Sequence, residues 1–133
     1  PQERRTVSIE ELLMQKNQPV QVQLAQQPLA QLYLSQPHCS ICVADKPRIQ
    51  KLAQTQQLPL ITINTLAEPE AASLFSVLTV PVVLLFANGK EVHREARIID
   101  FTRLTQQILR YQEALTSVEE QDSYESLFDQ LDE

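Results

Sequence analysis

The chain contains a single glycine, and its position predicts a β-hairpin. Gly89 follows Asn88 between two runs of strand-forming residues, in the segment VPVVLLFANGKEVHREARI. Asn-Gly favours the left-handed backbone of a two-residue hairpin turn, so the flanking runs should pair as antiparallel strands. The single glycine also argues against nucleotide cofactors, because dinucleotide-binding and P-loop phosphate loops need several glycines.

Strands and helices alternate through the rest of the sequence. The apolar runs LAQLYL and LPLITIN indicate buried strands, and helical spacing follows in CSICVADKPRIQKLAQTQQ, EPEAASLFSVL and DFTRLTQQILRYQEAL. Asp100 or Thr102 is the expected N-cap of the last of these helices. Pro47 should kink the helix that starts at the cysteines. With the hairpin, this order predicts an α/β fold in which a mixed sheet carries helices on both faces.

Two further elements are expected before the first apolar strand. A capping box predicts a helix from Ser8 to Lys16. Apolar and polar residues alternate from Val20 to Leu24, which predicts a half-buried strand or a strand-like lead-in that stops at Pro28.

Length and charge limit the function classes. With 133 residues, 43% of them hydrophobic, the chain can form one domain and is too short for two ordinary ones. A formal net charge of -6 and a pI near 4.9 argue against nucleic acid or an anionic membrane as a partner. No apolar run approaches bilayer length, and PQERRTVSIE lacks the apolar core of a signal peptide. We therefore expect a cytoplasmic protein, although a cleaved signal would leave no trace.

The last part of the chain differs from the rest. We expect residues 1–115 to form the domain and residues 116–133, TSVEEQDSYESLFDQLDE, to follow it. This segment is strongly acidic, and four large apolar residues recur in it at helical spacing. They are Tyr124, Leu127, Phe128 and Leu131. The segment is either a solvated tail or a short amphipathic helix that binds a groove.

Both cysteines lie in one short segment, QPHCSICVADKP. Cys39 falls in the first turn of the expected helix, where free backbone N–H groups and the helix dipole stabilise a thiolate. Cys42, three residues on, faces the same side of the helix and can resolve a mixed disulfide. We therefore expect Cys39 to attack and Cys42 to resolve. His38 either stabilises the thiolate when protonated or is a loop residue beside the site.

Two other interpretations of the cysteine pair stay open. A zinc site needs four ligands, and the chain offers only His38 and His93 beyond the cysteines, so a metal would need a second chain. An inert pair of core thiols is the blander possibility, and the polar Ser40 and the Pro-His lead-in speak against it.

The sequence resembles the thioredoxin family from about Ser8 to Leu115. Four features carry the resemblance in order: LAQLYL running into Cys39-Ser40-Ile41-Cys42, a proline at Pro47, the segment TVPVVLLF with Pro81, and FANGKEV at the closing hairpin. The resemblance implies a thioredoxin-like fold, with a central mixed sheet flanked by helices on both faces.

The resemblance also implies an activity. A thiol-disulfide oxidoreductase of this family would reduce protein or small-molecule disulfides through the Cys39/Cys42 dithiol, with no cofactor and no metal, and a separate reductase would supply electrons. Pro81 would be cis and lie against the cysteines, and Val80 would offer backbone groups to a substrate strand. His38 and Arg97 complete the expected substrate-binding set.

The chain departs from the family at several of these positions. His38 replaces the usual Trp, Ser40-Ile41 replaces Gly-Pro, and Tyr33 aligns with a buried Asp that is thought to take the proton of the resolving cysteine. Arg97 aligns near a groove glycine, where a long cation would narrow the site or select acidic or small substrates. These departures support an alternative function, a non-enzymatic adaptor or redox sensor that binds a partner protein.

Overall fold

A computed structural model describes residues 19–131 of the chain, with the side chains of residues 19–117. In chain order, its elements are α1 (Val20–Ala25), β1 (Leu29–Ser35), α2 (Ser40–Gln56), β2 (Leu60–Asn64), α3 (Pro69–Leu74), β3 (Val82–Ala87), β4 (Lys90–Ala96) and α4 (Phe101–Leu131). The expected helix from Ser8 to Lys16 lies outside the described residues. Helix α2 continues through Pro47 to its end.

The four strands form one mixed sheet in the order β2-β1-β3-β4. Strands β1 and β2 are parallel, whereas β3 is antiparallel to both β1 and β4. The register places Tyr33 at the centre of a row across the sheet, opposite Thr62 on one side and Val83 on the other. Glu95 follows Val83 in the same row. The predicted mixed sheet is confirmed.

The hairpin between β3 and β4 forms at the predicted turn. Asn88 and Gly89 have φ angles of 52° and 84°, both in the left-handed region that a two-residue turn requires. A Cβ added to Gly89 would also lie 3.0 Å from Cβ of Ala25, so helix α1 packs closely on this turn. The glycine is therefore needed for its backbone angle and for its small size.

Two apolar clusters cover the two faces of the sheet. We call the face under α1 and α3 the apolar face. Its buried residues are Leu24, Ala30, Leu32, Leu34, Ile61, Ile63, Ala71, Phe75, Val77, Val82, Leu84 and Phe86. We call the face under α2 and α4 the mixed face. Its buried cluster comprises Leu29, Tyr33, Ile49, Val83, Leu85, Ile99, Leu104 and Ile108. Helices on both faces confirm the expected architecture.

The predicted strand from Val20 to Leu24 is wrong, because this segment forms helix α1. The N–H groups of Val22 and Gln23 both donate to the carbonyl of Pro19, which begins the helix. Leu24 is buried on the apolar face while Val22 is 42% exposed. Over five residues, an alternating pattern also places its first and last members four apart, which is helical spacing.

Helix α4 begins at the predicted cap and runs further than expected. The carboxylate of Asp100 accepts a hydrogen bond from the N–H of Arg103 at 2.9 Å, so Asp100 rather than Thr102 caps the helix. The helix passes residue 115 and ends at Leu131. The division of the chain at residue 115 remains a prediction. In the described part of the chain, no helix combines the length and the hydropathy that crossing a membrane requires.

Candidate active site

Cys39 and Cys42 form a disulfide at the start of helix α2, with their Cα atoms 5.1 Å apart. Cys39 is the N-cap residue, and its Sγ accepts a hydrogen bond from the N–H of Cys42 at 3.1 Å. An N-cap side chain normally supplies an oxygen for this purpose, and here a sulfur takes the role. The same donor stabilises a negative charge on Cys39 Sγ once the disulfide is reduced.

The two sulfurs have different access to solvent. Cys42 is 2% exposed, whereas Cys39 is partly exposed at the end of the loop after β1. A substrate can therefore reach Cys39 from outside, while Cys42 is accessible chiefly to its neighbour. Cys42 borders a cleft of about 360 Å³ between α2 and β2, which is also lined by Ser35, Lys46, Asn64 and Glu68.

Tyr33 lies beneath the cysteine pair on the mixed face. Its hydroxyl donates a hydrogen bond to the backbone carbonyl of Cys42 at 2.8 Å, and the side chain is fully buried. Burial raises the pKa of Tyr33 to about 12, and the negative charge of Asp45 adds to the rise. At neutral pH Tyr33 is therefore a neutral donor that holds the first turn of α2, and it does not act as a proton acceptor.

Three of the predicted substrate-binding residues meet at one edge of the site. The Val80–Pro81 peptide bond is cis, as the resemblance implied. The carbonyl of Pro81 accepts a hydrogen bond from the N–H of Arg97 at 2.8 Å. Arg97 has a φ of 69°, in the region that favours glycine, which fits the family glycine expected near this position.

Val80 and Arg97 line a groove of about 460 Å³ together with residues that sequence reasoning missed. The added lining residues are Ile41, Ala96 and Ile98. Ile41 is 50% exposed and Ile98 is 82% exposed, so the groove presents apolar surface to solvent. Ile41 lies between the two cysteines in sequence, and an apolar residue at that exposed first-turn position was the available clue.

The two histidines lie in different surroundings. His38 is exposed before α2, next to Cys39. His93 lies on β4, where its Nε2 is 2.7 Å from a carboxylate oxygen of Glu95. Among the residues that the structure describes, no three His, Cys, Asp or Glu side chains are grouped as metal ligands.

Glu95 forms a buried ionic cluster that sequence reasoning did not find. The residue is 2% exposed, and its two carboxylate oxygens accept hydrogen bonds from Arg103 at 2.6 and 2.9 Å. The N–H of Asp100 donates a further hydrogen bond to it at 3.2 Å. The hydrogen bonds from Arg103, then His93 and Asp100, outweigh desolvation and lower the pKa of Glu95 to about 2.

Comparisons with known proteins agree with this geometry. A family model described as Thioredoxin matches residues 11–110. The chain is 42% identical over 80 residues to the thioredoxin-like protein YdfQ of Bacillus subtilis, covering 59% of this chain and 71% of that protein. It is 35% identical over 77 residues to a thioredoxin of Chlamydia muridarum, covering 56% of this chain and 74% of that protein.

A solved structure shows the same fold. Thioredoxin 1 of Thermosipho africanus superposes with a TM-score of 0.62 at 28% identity, over 65% of this chain and 98% of that chain. The family match spans both cysteines, the cis-proline and the hairpin. The chain therefore belongs to the thioredoxin family, and its Cys39–Cys42 disulfide makes it a thiol-disulfide oxidoreductase.

Proposed function

We propose that the reduced Cys39/Cys42 pair reduces disulfides in proteins or small molecules, with Cys39 as the attacking and Cys42 as the resolving thiol. The hydrogen bond from the N–H of Cys42 to Cys39 Sγ carries this proposal. It favours the thiolate on Cys39, and the greater exposure of Cys39 lets a substrate reach it.

The dithiol and the substrate disulfide supply all the electrons that the reaction requires. The Cys39 thiolate bonds to one substrate sulfur, and the electron pair of the substrate disulfide leaves on the other sulfur, which takes up a proton. Cys42 then loses its proton and bonds to Cys39 Sγ, which releases the second substrate sulfur as a thiol. The substrate gains two electrons, and the protein is left with its Cys39–Cys42 disulfide.

The substrate would bind along the edge formed by Val80 and Pro81. Val80 is half-buried and lines the groove, and its backbone groups would pair with an extended substrate strand. His38 and Arg97 would also contact the substrate. Support comes from the shared groove lining of Val80 and Arg97 and from the exposed position of His38.

Proton release from Cys42 would take place without a buried carboxylate. Tyr33 occupies the position where the family often has an acid, and its high pKa keeps it protonated. The cleft that Cys42 shares with Ser35 and Asn64 is polar and open, so water there is the proposed acceptor.

The protein would act in the cytoplasm and regain electrons from a separate reductase. Members of the family act on disulfide-containing substrates and are reduced by a reductase, and neither partner is specified for this chain. No cofactor beyond the redox-active disulfide is proposed.

Trapping experiments test the assigned roles. Cys42→Ser should accumulate a mixed disulfide between Cys39 and a disulfide peptide, because attack proceeds and resolution does not. Cys39→Ser should accumulate none, and both variants should lose turnover completely. A mixed disulfide on Cys42 in the Cys39→Ser variant, formed as fast as on Cys39, would contradict the assignment.

The reduction potential then separates a reductase from a sensor. Equilibration in graded thiol-disulfide buffers should give a two-electron transition between about -270 and -220 mV for a cytosolic reductase. A potential near about -180 to -120 mV would indicate an oxidant or sensor. Failure to form the intramolecular disulfide reversibly would favour the non-enzymatic adaptor.

A further inference from the structure

The groove lined by Ile41, two residues after Cys39, contains an arginine that has no ionic partner among the residues whose side chains are described. Arg97 lines this groove with Ile41, Val80 and Ile98 and is exposed to solvent. Its backbone N–H bonds to Pro81, but within residues 19–117 its guanidinium has no hydrogen bond and no ion pair. A guanidinium carries five N–H donors that match a carboxylate in two-point geometry, so the groove offers a site for an anionic group.

Three other arginines of the domain have partners. Arg94 bonds to Glu91 at 2.8 Å, Arg103 bonds to Glu95 at 2.6 Å, and Arg48 lies 3.8 Å over the ring of Phe101. The two carboxylates nearest to Arg97 in sequence, Glu95 and Asp100, both contact Arg103. The carboxylates that could have neutralised Arg97 locally are therefore committed to other groups.

The backbone fixes this arginine at the rim of the groove. Its φ of 69° places it in the left-handed region, which is unfavourable for a residue with a Cβ relative to glycine. The hydrogen bond of its N–H to the Pro81 carbonyl ties that conformation to the cis-proline loop. The guanidinium thus extends from a fixed backbone position in the groove that Ile41, between the two cysteines in sequence, also lines.

The net negative charge of the chain comes from the sequence after residue 115. Residues 116–133 contain seven of the 17 acidic residues and none of the 11 lysines and arginines, so residues 1–115 have a formal charge of +1. Helix α4 starts near the groove and passes the end of α2, where Gln112 bonds to the carbonyl of Gln56. Fifteen residues of helix span about 22 Å, well beyond the Debye length of about 8 Å in physiological salt.

We infer that Arg97 makes the groove selective for disulfides flanked by an acidic side chain, an inference that rests on the proposed function. The apolar surface of Ile41 and Ile98 contacts the body of the substrate segment, and Arg97 binds a carboxylate within a few residues of the attacked cysteine. The bound segment presents one sulfur to the Cys39 thiolate, and the electron pair leaves on the other substrate sulfur. The reduced dithiol is the only reductant required.

Single-turnover kinetics with matched peptides test the inference. Three peptides with one internal disulfide carry Glu, Gln or Lys at the residues flanking the attacked cysteine and a quenched fluorophore as reporter, because the protein has no Trp to follow. The pre-reduced protein should reduce the Glu peptide about two- to fivefold faster than the Gln peptide, and the Lys peptide more slowly still, as expected for one solvent-accessible ion pair.

Two charge-matched variants separate the groove from the rest of the surface. Arg97→Gln should reduce the three peptides at equal rates. Lys90→Gln, at the far end of β4, should retain the order of Glu, Gln and Lys peptides. Arg97→Lys should retain part of the preference, because the charge remains and the two-point geometry is lost. Raising the salt from about 0.01 M to about 1 M should reduce the Glu advantage, since the Debye length falls from about 30 to 3 Å.

The possible outcomes distinguish the inference from the proposed function. Equal rates for the three peptides, or an unchanged order in Arg97→Gln, would overturn the acidic selectivity and leave the reductase activity intact. Failure to reduce any of the peptides would overturn the proposed function, and the inference with it.

Discussion

The two faces of the sheet differ in what they bury. The buried cluster of the apolar face packs hydrocarbon against hydrocarbon, with Leu32, Leu34 and Leu84 fully buried. The mixed face buries the hydroxyl of Tyr33 and the carboxylate of Glu95 among its apolar residues, and it carries helix α2 with both cysteines. The contribution of the apolar face to stability does not depend on pH or on the redox state of the cysteines. Contacts on the mixed face couple folding to pH and to cysteine chemistry.

The largest expected effect on stability comes from truncating a buried side chain on the apolar face. Leu84→Ala should lower the free energy of unfolding by about 2–5 kcal/mol, because a fully buried side chain leaves a cavity. The loss should be the same for the oxidised and the reduced protein, as measured by denaturant unfolding of each.

Leu85, the next residue along the strand, allows a matched truncation on the mixed face. Leu85→Ala makes the same truncation one residue on, at a side chain that is also fully buried, and its loss should be of similar size. If Leu84→Ala shifted the reduction potential by more than about 10 mV, equivalent to about 0.5 kcal/mol, the apolar face would not be independent of the cysteine chemistry.

A smaller, pH-dependent effect is expected at Glu95. The pKa of Glu95 in the folded protein, about 2, lies below the ordinary carboxyl value. Its contribution to the free energy of unfolding is therefore complete above a pH of about 4.5 and is lost as the pH falls towards 2. Glu95→Gln should destabilise the protein by about 2–3 kcal/mol at pH 7, and the difference from the native protein should vanish near pH 2.

An exposed pair gives the control for this prediction. Glu91 and Arg94 lie on the same strand with side chains 36% and 31% exposed, and the hydrogen bond from Arg94 also lowers the pKa of Glu91. Solvent screens such pairs, so Glu91→Gln should cost less than about 1 kcal/mol. Equal losses for the two variants across the pH range would show that burial of Glu95 adds nothing.

The smallest expected effect is at Tyr33. Tyr33→Phe removes the hydrogen bond to the Cys42 carbonyl and should cost about 1 kcal/mol of stability. The pH dependence of mixed-disulfide resolution should not change, because the hydroxyl stays protonated throughout the neutral range. A shifted pH profile in stopped-flow measurements of that step would mean that Tyr33 takes part in proton transfer.

Much of the fold could be predicted because local patterns determine it. The Asn88-Gly89 turn and the apolar runs of β1 and β3 specify strands by period and turn chemistry, and the structure contains them at the expected places. The segment from Val20 to Leu24 was mispredicted because five residues cannot separate a period of two from one of 3.6 when both ends are apolar.

The candidate site could be predicted only in part. The spacing of Cys39 and Cys42 at a helix start favoured a redox-active pair over a zinc site or inert thiols, whereas the cis bond before Pro81 came from the family resemblance. The contact between Tyr33 and Cys42 joins residues nine apart in different elements, so no local pattern encodes it. Burial of Glu95 likewise depends on Arg103, which lies on the next helix.

The left-handed backbone at Arg97 has a consequence for anyone who engineers this protein. Selection for thermal stability alone would favour glycine there, because glycine relieves the conformational cost and every other contact of the backbone remains possible. A stabilised variant obtained in that way would melt at a higher temperature and keep its disulfide. It would nevertheless have lost a guanidinium at the rim of the groove, and a screen based on melting temperature would not reveal the loss.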